Sequence, residues 1–335
     1  AGAAEAHGIA RWDGAGWSAC GAGLREGVRA LFAYGGGIVA GGGFLRSGEI
    51  ELHNIGLWDG EAWQPLGPGT EGNVNALEVY DGALIAGGSF ASCGEMVANG
   101  VARWDGAAWS PLGSGLTAGS SYAWVSDLAV HDGALIAGGF LEPVEGAAVR
   151  GIGIWDGSQW QQLGAGLGGQ VDACLSWNGV LYAGGTLRIG EYDPPVGLAR
   201  WDGTVWQPVE GAPSGGIYAL VEHEGDLIAA GTFTEAGGEP CPFAARWDGA
   251  VWSPFGSGLS RKVMALAANG SDLYFGGFFD RAGGRPSFCI ARWAPKASGA
   301  EDPVGPAAAW ARVPAPYRAG MPIALGLPAE AAARV

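Results

Sequence analysis

The sequence predicts an all-β chain folded as a β-propeller of four-stranded antiparallel blades, and three observations carry that prediction. First, tryptophan recurs in one frame at Trp12, Trp58, Trp104, Trp155, Trp201, Trp247 and Trp293, and Asp-Gly follows the first six. Every gap is 46 residues except the third, which is 51. Second, each unit contains four short apolar runs, none with a helical stripe. Third, the runs are joined by tight-turn pairs such as Asp81-Gly82 and Asp105-Gly106, which tolerate the positive φ that a hairpin needs. Four strands repeated at this period are the mark of a propeller.

Taken in order, one unit reads A-B-C-D. In the second full unit these are residues 74–80, 83–90, 101–104 and 109–112. Pro65, Pro111, Pro208 and Pro254 all fall in strand D. Proline lacks a ladder donor, so D belongs at the outer edge. Strand B ends in a glycine pair, as at Gly41-Gly42 and Gly87-Gly88, which suits close approach of backbones between blades. Strand A begins six times, at Val28, Val74, Val125, Val171, Ile217 and Val263, which predicts six blades. On this count the N-terminal C-D hairpin, residues 9–20, closes the ring against the last A-B pair and removes the open edges. A rival reading treats residues 1–8 as the end of a B-C loop, which makes the chain part of a seven-bladed ring.

The repeat predicts a propeller over residues 1–295, an Ala/Pro-rich linker over 296–312 and a separate tail over 313–335. The 64 glycines mark turns at a fixed period and so do not indicate disorder. The net charge is −15, and Lys262 and Lys296 are the two lysines. Such a surface repels phosphate backbones and anionic lipid, which argues against nucleic acid and membrane-surface partners. No apolar run of spanning length occurs, so no transmembrane segment is expected. Cys20 and Cys174 occupy positions that other units fill with leucine, which predicts core packing. Cys93, Cys241 and Cys289 lie in or beside B-C loops, and Cys241 with Cys289 is the candidate disulfide. No Cys/His spacing fits zinc, and no metal site is predicted.

At IARWDGAGW, VARWDGAAWSPLGSGL and ALIAGGSF the chain resembles secreted and surface propellers of bacteria. It is also similar to kelch and galactose-oxidase-type repeats and to those of fungal cortical cell-polarity markers. The resemblance covers roughly residues 1–295 and implies the fold. The copper site of the galactose-oxidase type, with paired Tyr and His and a thioether-forming Cys, has no counterpart here. From Val313, VPAPYRAGMPIALGLPAEAAARV resembles the opening of the C-terminal sorting domain of type IX secretion substrates. Tyr317 and Leu327-Pro328 fit that pattern, the Asn-Pro-Phe part is absent, and the remaining strands expected of such a domain do not follow. This implies an extracellular or cell-surface protein.

The repeated Asp of Trp-Asp-Gly reads as turn chemistry, because catalysis needs a unique constellation rather than one copy per blade. The repeated tryptophans read as blade core. One column on the A-B hairpin is Tyr34, Tyr80, His131, Trp177, His223 and Asn269, a belt of rings that suits stacking on sugars or peptide side chains. Local packing over the hairpin is the alternative. The 51-residue gap puts extra residues in a D-A loop with two aromatics outside the repeat, Tyr122 and Trp124. Loops on a rigid scaffold carry binding, so these join the candidate ligand-binding set. The acidic B-C loops, with Glu49, Glu95, Glu142 and Asp280, read as a solvated rim or as a site for a cationic partner or Ca²⁺. No cofactor is otherwise expected.

No Ser-His-Asp order, phosphate loop or HExxH is present. The sequence therefore reads as a non-catalytic binding or scaffold propeller that presents loops to an extracellular protein or glycan. Two other classes stand beside it: a subunit that self-associates by strand addition, and a glycan lyase or hydrolase using acidic loop residues.

Overall fold

The computed structural model describes residues 6–13, 16–117, 123–142, 149–190, 193–295 and 308–312. These residues form strands and turns with no helix. Six four-stranded antiparallel sheets make a six-bladed propeller, with inner strands Val28–Tyr34, Gly72–Tyr80, Trp124–His131, Gly168–Trp177, Ile217–His223 and Val263–Asn269. In each sheet the order is A-B-C-D, as the proline positions predict. In the first sheet, Val28–Tyr34 pairs with Gly37–Gly42, then Ile55–Trp58, then Trp63–Pro65.

The hairpin chemistry is as read from the residues. Asp81 (φ 50°) and Gly82 (φ 71°) take the left-handed conformation that a two-residue turn requires. In the C-D turn of the first sheet, Asp59 Oδ1 accepts the N–H groups of Glu61 and Ala62, both at 2.8 Å. The same pair of bonds recurs at Asp105, Asp156, Asp202 and Asp248. Each of these carboxyls is held below the usual carboxylate range, first by the turn N–H groups at Asp59, Asp105, Asp202 and Asp248, and first by the Gln161 side chain at Asp156.

The core lies between blades. Val39 and Ile55 of the first sheet pack with Val74, Leu84, Phe90 and Trp104 of the second. The first glycine of the pair at the end of strand B makes this approach feasible: a Cβ on Gly87 would sit 2.7 Å from Val125 Cγ1 of the next blade. The two tryptophans of a unit pack together, Trp58 and Trp63 at 5.5 Å between centroids. The second one also ties its blade to the previous one. Trp63 Nε1 donates to Cys20 O (3.1 Å), Trp109 to Leu66 O (2.8 Å), Trp160 to Leu112 O (3.2 Å), Trp206 to Leu163 O (3.2 Å) and Trp252 to Glu210 O (3.4 Å). An indole suits this position because it buries a large apolar ring and still offers one donor.

Closure differs from the expected one. The last A-B pair does not take the N-terminal hairpin. It pairs with its own strand C, Ile290–Pro295, and with Ala308–Arg312 as strand D, where Trp310 stands opposite Trp293. That outer strand comes from the stretch read as a linker, whose preceding residues lie outside the described set, as do residues 313–335. The hairpin Ala10–Trp12/Trp17–Ala19 pairs only with itself among the described residues. It docks beside the first sheet, where Ile9, Cys20 and Leu24 share a core cluster with Val28, Phe44 and Trp63. The candidate Cys241–Cys289 disulfide is also absent: all five cysteines are free and buried. Burial raises every thiol pKa, that of Cys93 to about 12.

Candidate functional site

Each inner strand carries a β-bulge at the residue after its repeat-frame valine or isoleucine, Val28, Val74, Val125, Val171, Ile217 or Val263. In the first sheet Val28 pairs with Gly42 and Ala30 with Gly41, leaving Arg29 out of the ladder. The same irregularity recurs at Asn75, Ser126, Asp172, Tyr218 and Met264. A bulge re-aims its extra side chain away from the sheet face. Six residues of six different kinds therefore stand outside the ladders, at one end of the inner strands, while the strands around them repeat.

A second tier stands above this collar, at the residue before each inner strand's valine or isoleucine and its partner at the end of strand B. In the third blade these are Trp124 and Phe140, stacked at 5.1 Å with 25° between planes. In the sixth they are Lys262 and Phe278, with the ammonium 4.8 Å from the ring centroid and Phe278 40% exposed. The second and fourth blades carry Asn73 with Ser89 and Gln170 with Thr186. The tiers are joined: Trp124 Nε1 donates to Ser126 Oγ at 3.1 Å, and Gln170 Nε2 donates to Asp172 Oδ1. Neighbouring blades are joined as well. Arg29 Nη1 donates to Asn75 Oδ1 at 3.1 Å, and Asn75 Nδ2 donates to Val125 O at 2.9 Å.

The third blade departs from its neighbours once more. Asp127 fills the column that is alanine in the other five, Ala30, Ala76, Ala173, Ala219 and Ala265. Its Oδ2 accepts the N–H of Cys174 across the blade interface at 2.7 Å. Desolvation lifts its pKa to about 7; Cys174 and Leu128 N–H bonds oppose the rise, and the like charges of Glu78 and Asp172 add to it. Desolvation also raises Asp172 to about 6, against the Gln170 bond, and raises Glu78.

The structure separates the sequence-predicted residues into two ends of the propeller. Trp124 belongs to the collar, whereas Tyr122 lies outside the described residues. The A-B hairpin column lies at the other end and reaches toward the following blade. Tyr34 and Tyr80 pack partly buried on the next core clusters. His131 Nδ1 lies 2.9 Å from Ser176 Oγ, and its Nε2 lies 3.6 Å from Asp132. Trp177 is 5% exposed, donates to Gly225 O at 3.2 Å and packs on Tyr182 and Trp247. His223 is 6% exposed, and neither ring nitrogen has a hydrogen-bond partner among the described residues. Asn269 is partly buried. Among the described residues no group of three His, Cys, Asp or Glu side chains is placed to hold a metal ion.

Phe140, Phe278, Asp127 and the bulged six were not singled out from the sequence. Their signal was present as columns that vary inside a strict repeat. What the two tiers offer chemically is flat apolar faces beside neutral amide and hydroxyl groups, with one guanidinium, the Lys262 ammonium and one carboxyl of raised pKa.

No family model matches the chain, and no curated protein matches it. Among solved structures, the chain is similar to the computationally designed Ika8 protein at 15% identity and a TM-score of 0.45, over 80% of this chain and 84% of that one. It is also similar to the computationally designed Ika4 protein at 15% identity and a TM-score of 0.32, over 48% of this chain and 87% of that one. Neither likeness bears on what the chain binds.

Proposed function

We propose that this propeller is a non-catalytic binding module whose ligand seats on the axial collar, and that the ligand is a glycan. The observation that carries the reading is the stacked Trp124–Phe140 pair, joined through Ser126 to a collar that varies on an otherwise repeating ring. A sugar ring has a C–H face that stacks on an aromatic plane and hydroxyls that pair with Asn73, Ser89, Gln170 and Thr186. An extracellular protein presenting aromatic or amide side chains is the other ligand of this class. The opposite end, where Tyr34, Tyr80 and His131 are partly accessible, is a secondary contact surface in this proposal. The setting we propose is outside the cell, on the strength of the tail's resemblance to a sorting domain. Buried thiols are compatible with such a setting because they are inert.

The test is titration of the purified chain with neutral oligosaccharides and with peptides, followed by tryptophan fluorescence and calorimetry. Saturable binding that Trp124→Ala reduces at least tenfold supports the proposal. Binding that Trp124→Ala leaves unchanged removes the collar from it.

One observation favours a second reading, a glycan hydrolase or lyase. Asp127 and Asp172 are carboxyls of raised pKa on adjacent inner strands, and a general acid needs such a shift. Release of reducing ends from a bound glycan, abolished in Asp172→Asn, would support this reading. Binding without turnover would dismiss it.

A further inference from the structure

The loop end of the sixth blade carries positive charge on a chain whose net charge is −15. Arg261 and Lys262 lie in the loop that leads into its inner strand, and Arg281 and Arg285 lie in the two-stranded ribbon between its strands B and C. No other blade places a cation in the first two columns. They read Glu26-Gly27, Gly72-Asn73, Ala123-Trp124, Gly169-Gln170 and Gly215-Gly216 in the other five. The ribbon of the fifth blade has the opposite sign: Glu235 and Glu239 stand where the sixth blade has Arg281 and Arg285. The two ribbons share one register, Glu235 with Pro240 and Ala236 with Glu239 in the fifth, Arg281 with Pro286 and Ala282 with Arg285 in the sixth. The fold therefore accepts either sign, and folding does not explain the arginines.

Local bonds fix the loop and the ribbon to each other. Leu259 bridges to Ala282, Ser260 N donates to Arg281 O at 3.1 Å, and Phe278 N donates to Lys262 O at 3.0 Å. The Ser260 hydroxyl is the knot. It donates to Asp280 Oδ1 at 2.6 Å and accepts the N–H groups of Asp280 and Arg281, both at 3.1 Å. Asp280, the one carboxylate among these four cations, is thus engaged by serine. The Ser260 bond first, and then the charges of Arg261 and Arg281, hold it below the usual carboxylate range, which places both guanidinium groups near the same carboxyl. Among the described residues no hydrogen bond or ion pair ties down the guanidinium of Arg261, Arg281 or Arg285, whereas Arg246 and Arg292 pair with Asp226 and Asp272 at 2.9 and 3.1 Å.

Two rings stand in the open on the same blade end. Phe278, 40% exposed, holds the Lys262 ammonium 4.8 Å from its centroid, the attraction of a cation for an aromatic face. Phe288, 55% exposed, follows Ser287, whose N–H donates to Asp280 O at 2.9 Å.

We infer that this end of the sixth blade reads the charge of the ligand: the glycan proposed above is an acidic one, and its carboxylates seat on Arg261, Lys262 and Arg281. The inference rests on the glycan reading of the collar. Lys262 belongs to both surfaces, as the second-tier residue of its blade and as a member of the patch, so a glycan on the collar that reaches Lys262 meets the arginines next. The planar fork of a guanidinium matches a carboxylate with two parallel bonds, and the faces of Phe278 and Phe288 suit the C–H faces of the sugar rings between the charges. One exposed ion pair contributes little and is screened by salt, so the affinity comes from several pairs along one chain. An acidic surface with one positive patch also fixes where an acidic chain lands, because the rest of the molecule repels it.

The test is calorimetry on the whole chain with short oligomers of galacturonate, mannuronate and glucuronate, and with the methyl ester of each, which keeps the ring and loses the charge. At low salt at least one oligouronate is expected to bind at least tenfold tighter than its ester, and added salt is expected to erase the difference. Arg261→Ser combined with Arg281→Ser should lower affinity for the acid at least tenfold and leave the ester and the melting temperature unchanged, since both side chains are exposed. Arg200→Ser, which removes the same charge from the fourth blade, should leave both affinities in place, and Trp124→Ala should lower both. Equal binding of acid and ester, with both lost in Trp124→Ala, would overturn the charge inference and leave the collar standing. Binding of neither form would overturn both readings. Equal displacement of the oligouronate by inorganic polyphosphate, which has charge and no sugar ring, would reduce the patch to a general polyanion surface and overturn the inference as well.

Discussion

Trp63 is where the bond between blades can be measured. It is 1% exposed, packs on Trp58 at 5.5 Å and donates its indole N–H to Cys20 O at 3.1 Å. Trp63→Phe keeps a ring and removes the donor. The carbonyl is not stranded, because Gly23 N also donates to it at 3.1 Å, so the lost bond costs about 1 kcal/mol rather than the full penalty of an orphan. The smaller ring leaves a void in a closed interface, which adds about 1–2 kcal/mol. The expected loss is therefore about 2–3 kcal/mol, and Trp63→Ala extends it to about 3–5 kcal/mol. Urea unfolding measures the sum. Hydrogen exchange over residues 10–19 measures the local share, since this bond holds the N-terminal hairpin to the first sheet. Trp124→Phe, which joins no blades, is the control and should leave that exchange unaltered. A loss below about 0.5 kcal/mol for Trp63→Phe, or an unchanged hairpin, would refute the assignment of this bond as an inter-blade tie.

Other consequences follow from the same geometry. Gly88→Ala should destabilise more than Gly87→Ala: its Cβ would meet Asn73 O at 2.0 Å, a backbone atom that cannot give way, whereas Gly87 meets the Val125 side chain at 2.7 Å. We expect about 1–3 kcal/mol for Gly87→Ala and more for Gly88→Ala by urea unfolding, and the reverse order would contradict this account. Asp127 binds its proton more tightly folded than unfolded, so its contribution is complete below the unfolded value near 4 and is lost as pH rises through about 7. Asp127→Asn should therefore match the parent near the lower limit and exceed it by about 4 kcal/mol above the upper one, read from unfolding curves across pH. His223→Phe removes two buried, unpartnered ring nitrogens and should be neutral or stabilising by about 1 kcal/mol; a clear loss in thermal unfolding would reveal a missed partner. Phe278→Ala should weaken glycan binding while leaving the melting temperature in place, because the ring is 40% exposed; calorimetry and a thermal scan separate the two effects.

Much of the architecture was legible because a propeller repeats its local chemistry. Period gave the units, Asp-Gly gave the turns, and proline placed strand D at the edge. The Asp of Trp-Asp-Gly was readable as a turn residue, and its carboxylate does cap turn N–H groups. The sixth strand D was not legible: Trp310 follows Trp293 by 17 residues instead of five, across an Ala/Pro-rich stretch without the Asp-Gly turn of the other units. The collar was missed for a different reason. A bulge is a property of pairing, so Arg29 and Ser126 look like any polar residue at the start of a strand. Asp127 could have been found, since a carboxyl in a column of alanines conflicts with the burial that the column predicts. The indole bonds need the spatial order of blades, which the spacing implies without naming the acceptor.

The bulge also has a consequence for how such a chain changes over generations. Because the bulged residue stands outside the ladder, replacing it breaks no strand pairing. These positions can therefore drift or be selected apart from the ladder, Arg29 and Asn75 as a hydrogen-bonded pair, and the present set of Arg, Asn, Ser, Asp, Tyr and Met shows how much variety one frame accommodates. Specificity and stability are then written in separate columns of the same repeat. A library randomised at those six positions alone should yield mostly folded proteins with different tastes.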